Sequence, residues 1–99
     1  MIFVNATSAL CSLGVGKKAV IESLARNCAP GLRRSDRWLL SGRGAWFGEI
    51  AGELPELPAG FEPENTRNNR ALLGCWLSEP RFAELFAASN PSRVAVVLG

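Results

Sequence analysis

The chain has 99 residues, with 11 Lys and Arg against 9 Asp and Glu, and it contains no histidine. This length allows a single domain with one core, and a net charge of +2 is too small to indicate a nucleic-acid partner. Without histidine, these residues hold no His-based triad, no His general base and no His metal ligand. No apolar run approaches the ~20 residues of a membrane span, and we expect a cytoplasmic chain.

The three cysteines, Cys11, Cys28 and Cys75, stand far apart and form no C-x-x-C pair. Their odd number and spacing favour neither a disulfide framework nor a zinc site. Cys11 precedes a helix N-terminus, but with no histidine to act as a base we interpret it as a buried structural thiol. Cys28 and Cys75 fall on apolar helix faces. We therefore predict no catalytic cysteine, no metal site and no cofactor.

The first elements in the chain are a predicted strand and helix. Apolar residues from Ile2 to Leu10 predict the strand. Glycines then interrupt the pattern, and a helix is predicted from Lys17 to about Asn27. Its apolar face contains Val20, Ile21, Leu24 and Cys28.

The turn from Gly14 to Lys18 has some features of a phosphate-binding loop, namely glycines and lysines at a helix N-terminus. The full pattern requires glycine where Cys11 stands and serine or threonine where Lys18 stands. We therefore interpret this segment as a plain strand-to-helix turn.

The middle of the chain is predicted to be irregular. The apolar groups Trp38–Leu40 and Ala45–Phe47 are separated by the turn residues Ser41–Gly44, which predicts a short hairpin or an irregular excursion. Glu53–Pro63 carries three prolines, so it is predicted to be a semi-extended loop that acts as a spacer.

A second helix is predicted from Thr66 to Leu77, with Asn65 as its N-cap. At 100° per residue its buried side would contain Leu72, Leu73, Cys75, Trp76 and Leu77, and its outward side Arg67, Arg70, Gly74 and Ser78. Ser78 is then expected to cap a third short helix that buries Phe82, Leu85 and Phe86.

The last segment, Arg93–Gly99, is a continuous apolar run that is typical of a strand buried on both faces of a parallel sheet. The element order predicts an α/β fold in which Ile2–Leu10 and Arg93–Leu98 are two core parallel strands joined by crossover helices. Two strands make an incomplete sheet. We expect the chain to be a truncated part of a larger domain. The truncated chain is expected to self-associate through the unpaired edge of its sheet.

Three blocks of sequence, Asn5–Gly14, Thr66–Leu73 and Arg93–Gly99, resemble the β-ketoacyl-acyl-carrier-protein synthases, condensing enzymes of the thiolase fold. The resemblance covers essentially all 99 residues. It is greatest to the synthases of aryl polyene clusters, through Trp46, Gly48 and Leu54–Pro58. The resemblance implies a partial thiolase-like fold, with residues 1–99 forming the N-terminal part of a synthase N-terminal domain.

The same resemblance implies a Claisen condensation between an acyl group and malonyl carrier protein, in fatty acid or aryl polyene biosynthesis. The family uses a cysteine nucleophile with two histidines, and none of those positions lies in residues 1–99. Arg67 and Arg70 match basic residues that meet the acidic surface of the acyl carrier protein. The full-length parent is expected to be a homodimer or heterodimer.

Two other interpretations remain open from sequence. One is a freestanding, non-catalytic α/β interaction module that binds a carrier protein or a synthase subunit. The other is a chain whose partner strand comes from a second copy. The sequence also leaves open whether the parent is a catalytic synthase or its non-catalytic chain-length partner.

Overall fold

The structure, a computed structural model, describes residues 1–99 and contains three α-helices and two small sheets. In chain order the elements are β1 (Leu10–Cys11), β2 (Gly14–Val15), α1 (Lys17–Ala25), β3 (Leu32–Ser35), β4 (Ala45–Gly48), α2 (Arg67–Leu77) and α3 (Arg81–Ala88). Short 3₁₀ turns lie at Glu62–Glu64 and Pro91–Arg93. Helices α1 and α2 match their predicted positions to within two residues at each end, and a third short helix follows as predicted, although without the predicted cap.

Strands β1 and β2 form a tight antiparallel hairpin at the centre of the molecule, with Leu10 opposite Val15 and Cys11 opposite Gly14. The backbone N–H of Gly16 donates to the carbonyl of Ala9 at 2.7 Å, which fixes the exit of this hairpin into α1. The segment Gly14–Lys18, predicted to be a plain strand-to-helix turn, instead contributes the second strand of the hairpin before α1 begins at Lys17.

The second hairpin pairs β3 with β4, from Leu32 opposite Gly48 to Ser35 opposite Ala45. A hairpin strand at Ala45–Phe47 is therefore confirmed, but its predicted partner was wrong. Trp38–Leu40 lies in the connecting loop, where the Trp38 indole N–H donates to Glu49 Oε1 at 3.3 Å. The true partner contains two arginines and is exposed along most of its length, so it lacks the apolar alternation by which a strand is predicted.

Gly31 joins the two hairpins. Its N–H donates to Ser12 O at 2.8 Å, and its carbonyl accepts from the Glu49 N–H at 2.8 Å. A Cβ at this residue would collide with the Glu49 carbonyl and would lie 2.7 Å from Ser12 O. Only glycine allows this close approach of three backbone segments.

Helix α1 packs through its small residues rather than its apolar face. The Ser23 hydroxyl is buried and donates to Leu13 O at 2.6 Å. Ile21 and Leu24 are exposed, contrary to the predicted burial of that face. Cys28 is also exposed, because the helix ends at Ala25 and does not carry this residue on its face.

Helix α2 is likewise turned relative to the prediction. Gly74, expected on the outward side, is the buried residue of α2, whereas Leu72 and Leu77 are exposed. Gly74 allows Leu10 and Pro55 to approach the helix closely, since a Cβ there would lie 3.2 Å from Leu10 Cδ1. The spacing of apolar residues identifies the helix face that would be buried in a complete core, but in this chain the opposite face, at Gly74, is the one that is packed.

The α2–α3 corner combines aromatic packing with a serine contact. Trp76 stacks on Phe82 with ring centroids 5.0 Å apart and meets Phe86 edge-on at 6.4 Å. Ser78 does not cap α3 as predicted. Its hydroxyl donates to Cys75 O at 2.7 Å and contacts the Ser8 hydroxyl at 2.7 Å, so it ties the N-terminal segment to the end of α2.

The predicted pair of parallel strands is not present. Both sheets are antiparallel, and Ile2–Val4 and Val94–Gly99 form no strand and are exposed. A strand of a parallel sheet requires a hydrogen-bonded neighbour and cover on both faces, and neither is provided to these segments within the chain. The mixed helix and strand content is as predicted.

The molecule is open in shape. Its accessible surface is 8042 Å², whereas a folded monomer of this mass exposes about 5,500 Å². Its radius of gyration is 16.4 Å, against about 13 Å for a domain of this length. Leu54, 8% exposed, is the only large apolar side chain that is buried. None of the helices is long and apolar enough to cross a membrane.

Candidate partner-binding groove

An open groove of about 870 Å³ runs along one face of α2. We call it the α2 groove. Helix α2 forms one side, and the segment Gly52–Glu56 forms the other, which we call the wall. The residues that line the groove are Val15, Gly52, Glu53, Leu54, Pro55, Glu56, Arg67, Arg70, Gly74, Leu77 and Ser78.

The wall packs tightly against the helix at Gly74. A Cβ at Gly74 would lie 3.3 Å from Pro55 Cδ, so the proline ring is in close contact with the helix surface. Leu54, beside this contact, is the buried apolar residue. The segment is extended and without regular secondary structure, as predicted from its prolines. It is more than the predicted spacer, because it forms one side of the groove.

Arg70 links the helix to the wall. Its Nη2 donates to Leu54 O at 2.8 Å and its Nε donates to Pro55 O at 3.1 Å. The same Nη2 lies 2.8 Å from Glu56 Oε1, forming a salt bridge. Arg70 was predicted to point outward, but its guanidinium is used within the molecule and its side chain is only 31% exposed.

Arg67 has different surroundings. It is the first residue of α2 and is exposed, and its guanidinium forms no salt bridge or side-chain hydrogen bond. The N-cap is Thr66 rather than the predicted Asn65, with the Asn69 N–H donating to Thr66 Oγ1 at 3.3 Å. Asn65 instead donates through Nδ2 to Glu56 Oε2 at 3.2 Å. A cation at a helix N-terminus is disfavoured by the helix dipole, so Arg67 would be stabilised by a nearby anion.

The two predicted site residues lie on one face of α2, as their spacing predicted, and both line the groove. Four charged side chains line it, two basic and two acidic. Because Arg70 is paired with Glu56, Arg67 and Glu53 carry the charges that have no salt-bridge partner. The contact of the arginines with a carrier protein stays a prediction.

No catalytic constellation is assembled. Cys11 and Cys75 are half-buried, Cys28 is exposed, and all three are free thiols. No group of three or more His, Cys, Asp or Glu side chains is placed to hold a metal ion. Lys17, from the segment with phosphate-loop features, pairs with Glu79 at 3.2 Å. This hydrogen bond lowers the pKa of Glu79 below its ordinary value.

Neither Leu54 nor Glu56 was predicted from the sequence to belong to the site. Both lie in a proline-rich stretch with no period by which a face is identified. A leucine followed by proline in an irregular segment is a weak signal of a packed contact. The pairing of Glu56 with Arg70 depends on the path of the wall, which local patterns do not determine.

No protein-family model matches the chain, and no curated protein matches it. Among solved structures, the chain is similar to a chain of the ketosynthase (ApeO) in complex with its chain length factor (ApeC) from Xenorhabdus doucetiae. The TM-score is 0.77 and the sequence identity 30%. The similarity covers 86% of this chain but only 22% of the neighbour chain.

Proposed function

We propose that this chain, which is similar in both sequence and fold to part of a ketosynthase complex, is the N-terminal part of a β-ketoacyl-acyl-carrier-protein synthase. The resemblance to this family is confirmed by the neighbour, and its 30% identity at a TM-score of 0.77 is the observation that carries the proposal. The reaction would be condensation of an acyl group with malonyl carrier protein, in fatty acid or aryl polyene biosynthesis. Because the neighbour is a complex of a ketosynthase with its chain length factor, this chain could instead be part of a chain length factor.

These residues would not perform the chemistry of the reaction; they would form part of the scaffold and bind the carrier protein. The family's nucleophilic cysteine and paired histidines match no position here. The chain would instead supply the scaffold around the β1–β2 hairpin and the α2 groove for the carrier protein. Carrier-protein surfaces are acidic, so Arg67 and Arg70 are the contacts that the resemblance implies.

We further propose that the two exposed ends become strands in the assembled enzyme. Val94–Leu98 and Ile2–Val4 are rich in β-branched and aliphatic residues, yet have no ladder partner in this chain. Neighbouring strands would supply the hydrogen bonds that a parallel sheet requires. The parent would be a cytoplasmic homodimer or heterodimer.

The carrier-protein contact is tested with a purified holo acyl carrier protein and isothermal titration calorimetry. We expect Arg67→Ala to weaken binding about fivefold, the effect of losing one exposed ion pair. Arg26→Ala removes the same charge from an exposed site outside the groove and should leave binding unchanged. Equal losses from both substitutions would show unspecific attraction, and no binding by the unaltered chain would reject the proposal.

The second candidate function, a freestanding non-catalytic module that binds a carrier protein, is favoured by the absence of histidine. The large accessible surface supports the synthase proposal instead, because twenty large apolar residues are exposed. Sedimentation equilibrium separates the two. We expect self-association of the chain, whereas a monodisperse monomer with a sharp cooperative melt would favour the freestanding module.

A further inference from the structure

Arg67 and Arg70 are three residues apart in α2 and so lie on the same helix face. Their surroundings nevertheless differ. We propose that they have separate tasks: Arg67 contacts the acidic partner directly, whereas Arg70 is a positioning residue that holds the wall of the α2 groove. This inference rests on the proposed carrier-protein contact and assigns a different role to each arginine.

The first step is the number of acceptors that Arg70 already serves. Its guanidinium donates to two backbone carbonyls, at 2.8 and 3.1 Å, and pairs with a carboxylate at 2.8 Å. A planar guanidinium suits such a set because its donors have a fixed geometry. These contacts use Nε and Nη2, so a partner carboxylate would find only Nη1 without a contact, and a bidentate pair that includes Nη2 would have to displace Glu56 or compete with the carbonyls.

The second step is what else attaches the wall to α2. No backbone hydrogen bond joins Gly52–Glu56 to the helix. The observed contacts are the packing of Pro55 at Gly74, the Asn65–Glu56 hydrogen bond at the helix start, and the contacts of Arg70. Losing the Arg70 contacts would therefore release the middle of the wall and open the groove.

The third step concerns Arg67. Its side chain is exposed at the start of α2 and has no partner within the molecule. No internal contact has to be broken before it meets a partner carboxylate. The helix dipole adds a reason for such a contact, since an anion close to Arg67 also compensates the partial positive charge of the helix N-terminus.

Lysine substitutions distinguish the two roles, because they keep the charge and change the geometry. Lysine carries its charge on a single nitrogen and cannot reproduce the guanidinium fork. In calorimetric titration with purified holo acyl carrier protein, we expect Arg67→Lys to bind as the unaltered chain does. Arg70→Lys should bind about fivefold more weakly. Equal affinity of Arg70→Lys and the unaltered chain, with a loss for Arg70→Ala, would mean that the Arg70 charge acts on the partner, and would overturn the inference.

Salt dependence supplies a readout that loss of structure alone would not change. Direct charge contacts weaken as salt is added. Arg67→Ala should therefore reduce the salt dependence of the affinity, whereas Arg70→Lys should lower the affinity by the same factor at low and high salt. Salt dependence reduced by Arg70→Lys and unchanged by Arg67→Ala would contradict the proposed roles.

A measurement without the carrier protein separates this inference from the proposed function. A glutamate-specific protease cleaves after Glu53 and Glu56 once the wall is released, and cleavage after Glu22 in α1 serves as the internal reference. We expect Arg70→Lys to increase cleavage in the wall several-fold relative to the reference, and Arg67→Lys to leave it unchanged. Unchanged cleavage in Arg70→Lys would overturn the positioning role. Increased cleavage together with no carrier binding by the unaltered chain would uphold that role while rejecting the proposed function and the Arg67 contact.

Discussion

The centre and the ends of this chain are packed in opposite ways. At the centre, around the β1–β2 hairpin, contacts are short and involve small residues, such as Ser23 with Leu13 O at 2.6 Å and Ser8 with Ser78 at 2.7 Å. At the ends, large apolar residues have almost no cover, and Val97 is 91% exposed. The short contacts of the centre are therefore made by small side chains, whereas the large apolar side chains of the ends are left exposed.

This difference shows what each kind of residue requires. Glycine and serine permit backbones to approach, and their hydrogen bonds form within a few neighbouring segments. Leucine and valine are stabilised by burial in proportion to the area removed from water, which needs a second layer. In this chain that layer is present only around Leu54 and at the aromatic cluster of α2 and α3.

Gly31→Ala is the substitution that we expect to destabilise the centre most. The new methyl group would collide with the carbonyls of Glu49 and Ser12, which are backbone atoms and cannot rotate away. We expect a loss of about 3 kcal/mol in the free energy of unfolding, at the upper end for overpacking. Gly42→Ala is the control, because it has open space and adds only the left-handed strain of its φ of +65°, about 1 kcal/mol. Denaturant unfolding compares the two, and equal losses would show that the hairpins are not joined at Gly31.

Removing a leucine side chain from each region compares the stability that burial contributes in the two places. Leu54→Ala deletes the buried leucine of the wall and should cost about 2 kcal/mol, the low end for a leucine in a core. Leu98→Ala deletes a leucine that is 63% exposed, and should change stability by less than about 0.5 kcal/mol. Comparable losses in denaturant unfolding of the dilute, monomeric chain would mean that the terminal segment is packed within the chain in solution and that the two regions do not differ.

Local features of the sequence were sufficient to place the helices. The break at Asn27, which has a φ of +50°, ends α1 soon after its last turn, and the polar residues before Arg67 start α2. These signals act within one turn of the chain. The faces of α1 and α2 were not predictable in the same way, because hydrophobic periodicity identifies the face that requires cover and not whether cover is available.

The site was predicted in part for the same reason. Helical spacing is local, so Arg67 and Arg70 were placed on one face, and both line the α2 groove. Whether an arginine is free or paired depends on which distant segment passes beside it. The wall packs at Gly74 through Pro55 and is bound by Arg70 through the Leu54 and Pro55 carbonyls, so the pairing of Arg70 with Glu56 appears only in the folded chain.

The smallest expected effect concerns the ion pair that ties the start of α1 to the α2–α3 turn. Lys17 Nζ lies 3.2 Å from Glu79 Oε2, and the Glu79 side chain is 14% exposed. The hydrogen bond from Lys17 lowers the pKa of Glu79 below its ordinary value of 4.5. Because the pKa is lower in the folded chain than in the unfolded chain, the pair stabilises the fold above the ordinary pKa. That contribution is lost as the pH falls through the lowered, folded value.

Thermal unfolding between about pH 6.5 and pH 3 tests this linkage. We expect Lys17→Met to lower Tm slightly at neutral pH and to flatten the fall of Tm in acid, since the largest cause of the lowered pKa of Glu79 is then removed and only the smaller effect of Arg81 remains. Lys18→Met is the matched control, because Lys18 is exposed and unpaired. The pKa of Glu62 is lowered by the Gly60 N–H. Because Glu62 is retained in all three chains, its effect on Tm is the same in each and does not affect the comparison. A Tm profile of Lys17→Met that runs parallel to that of the unaltered chain would mean that the Lys17–Glu79 pair does not contribute to the stability of the fold.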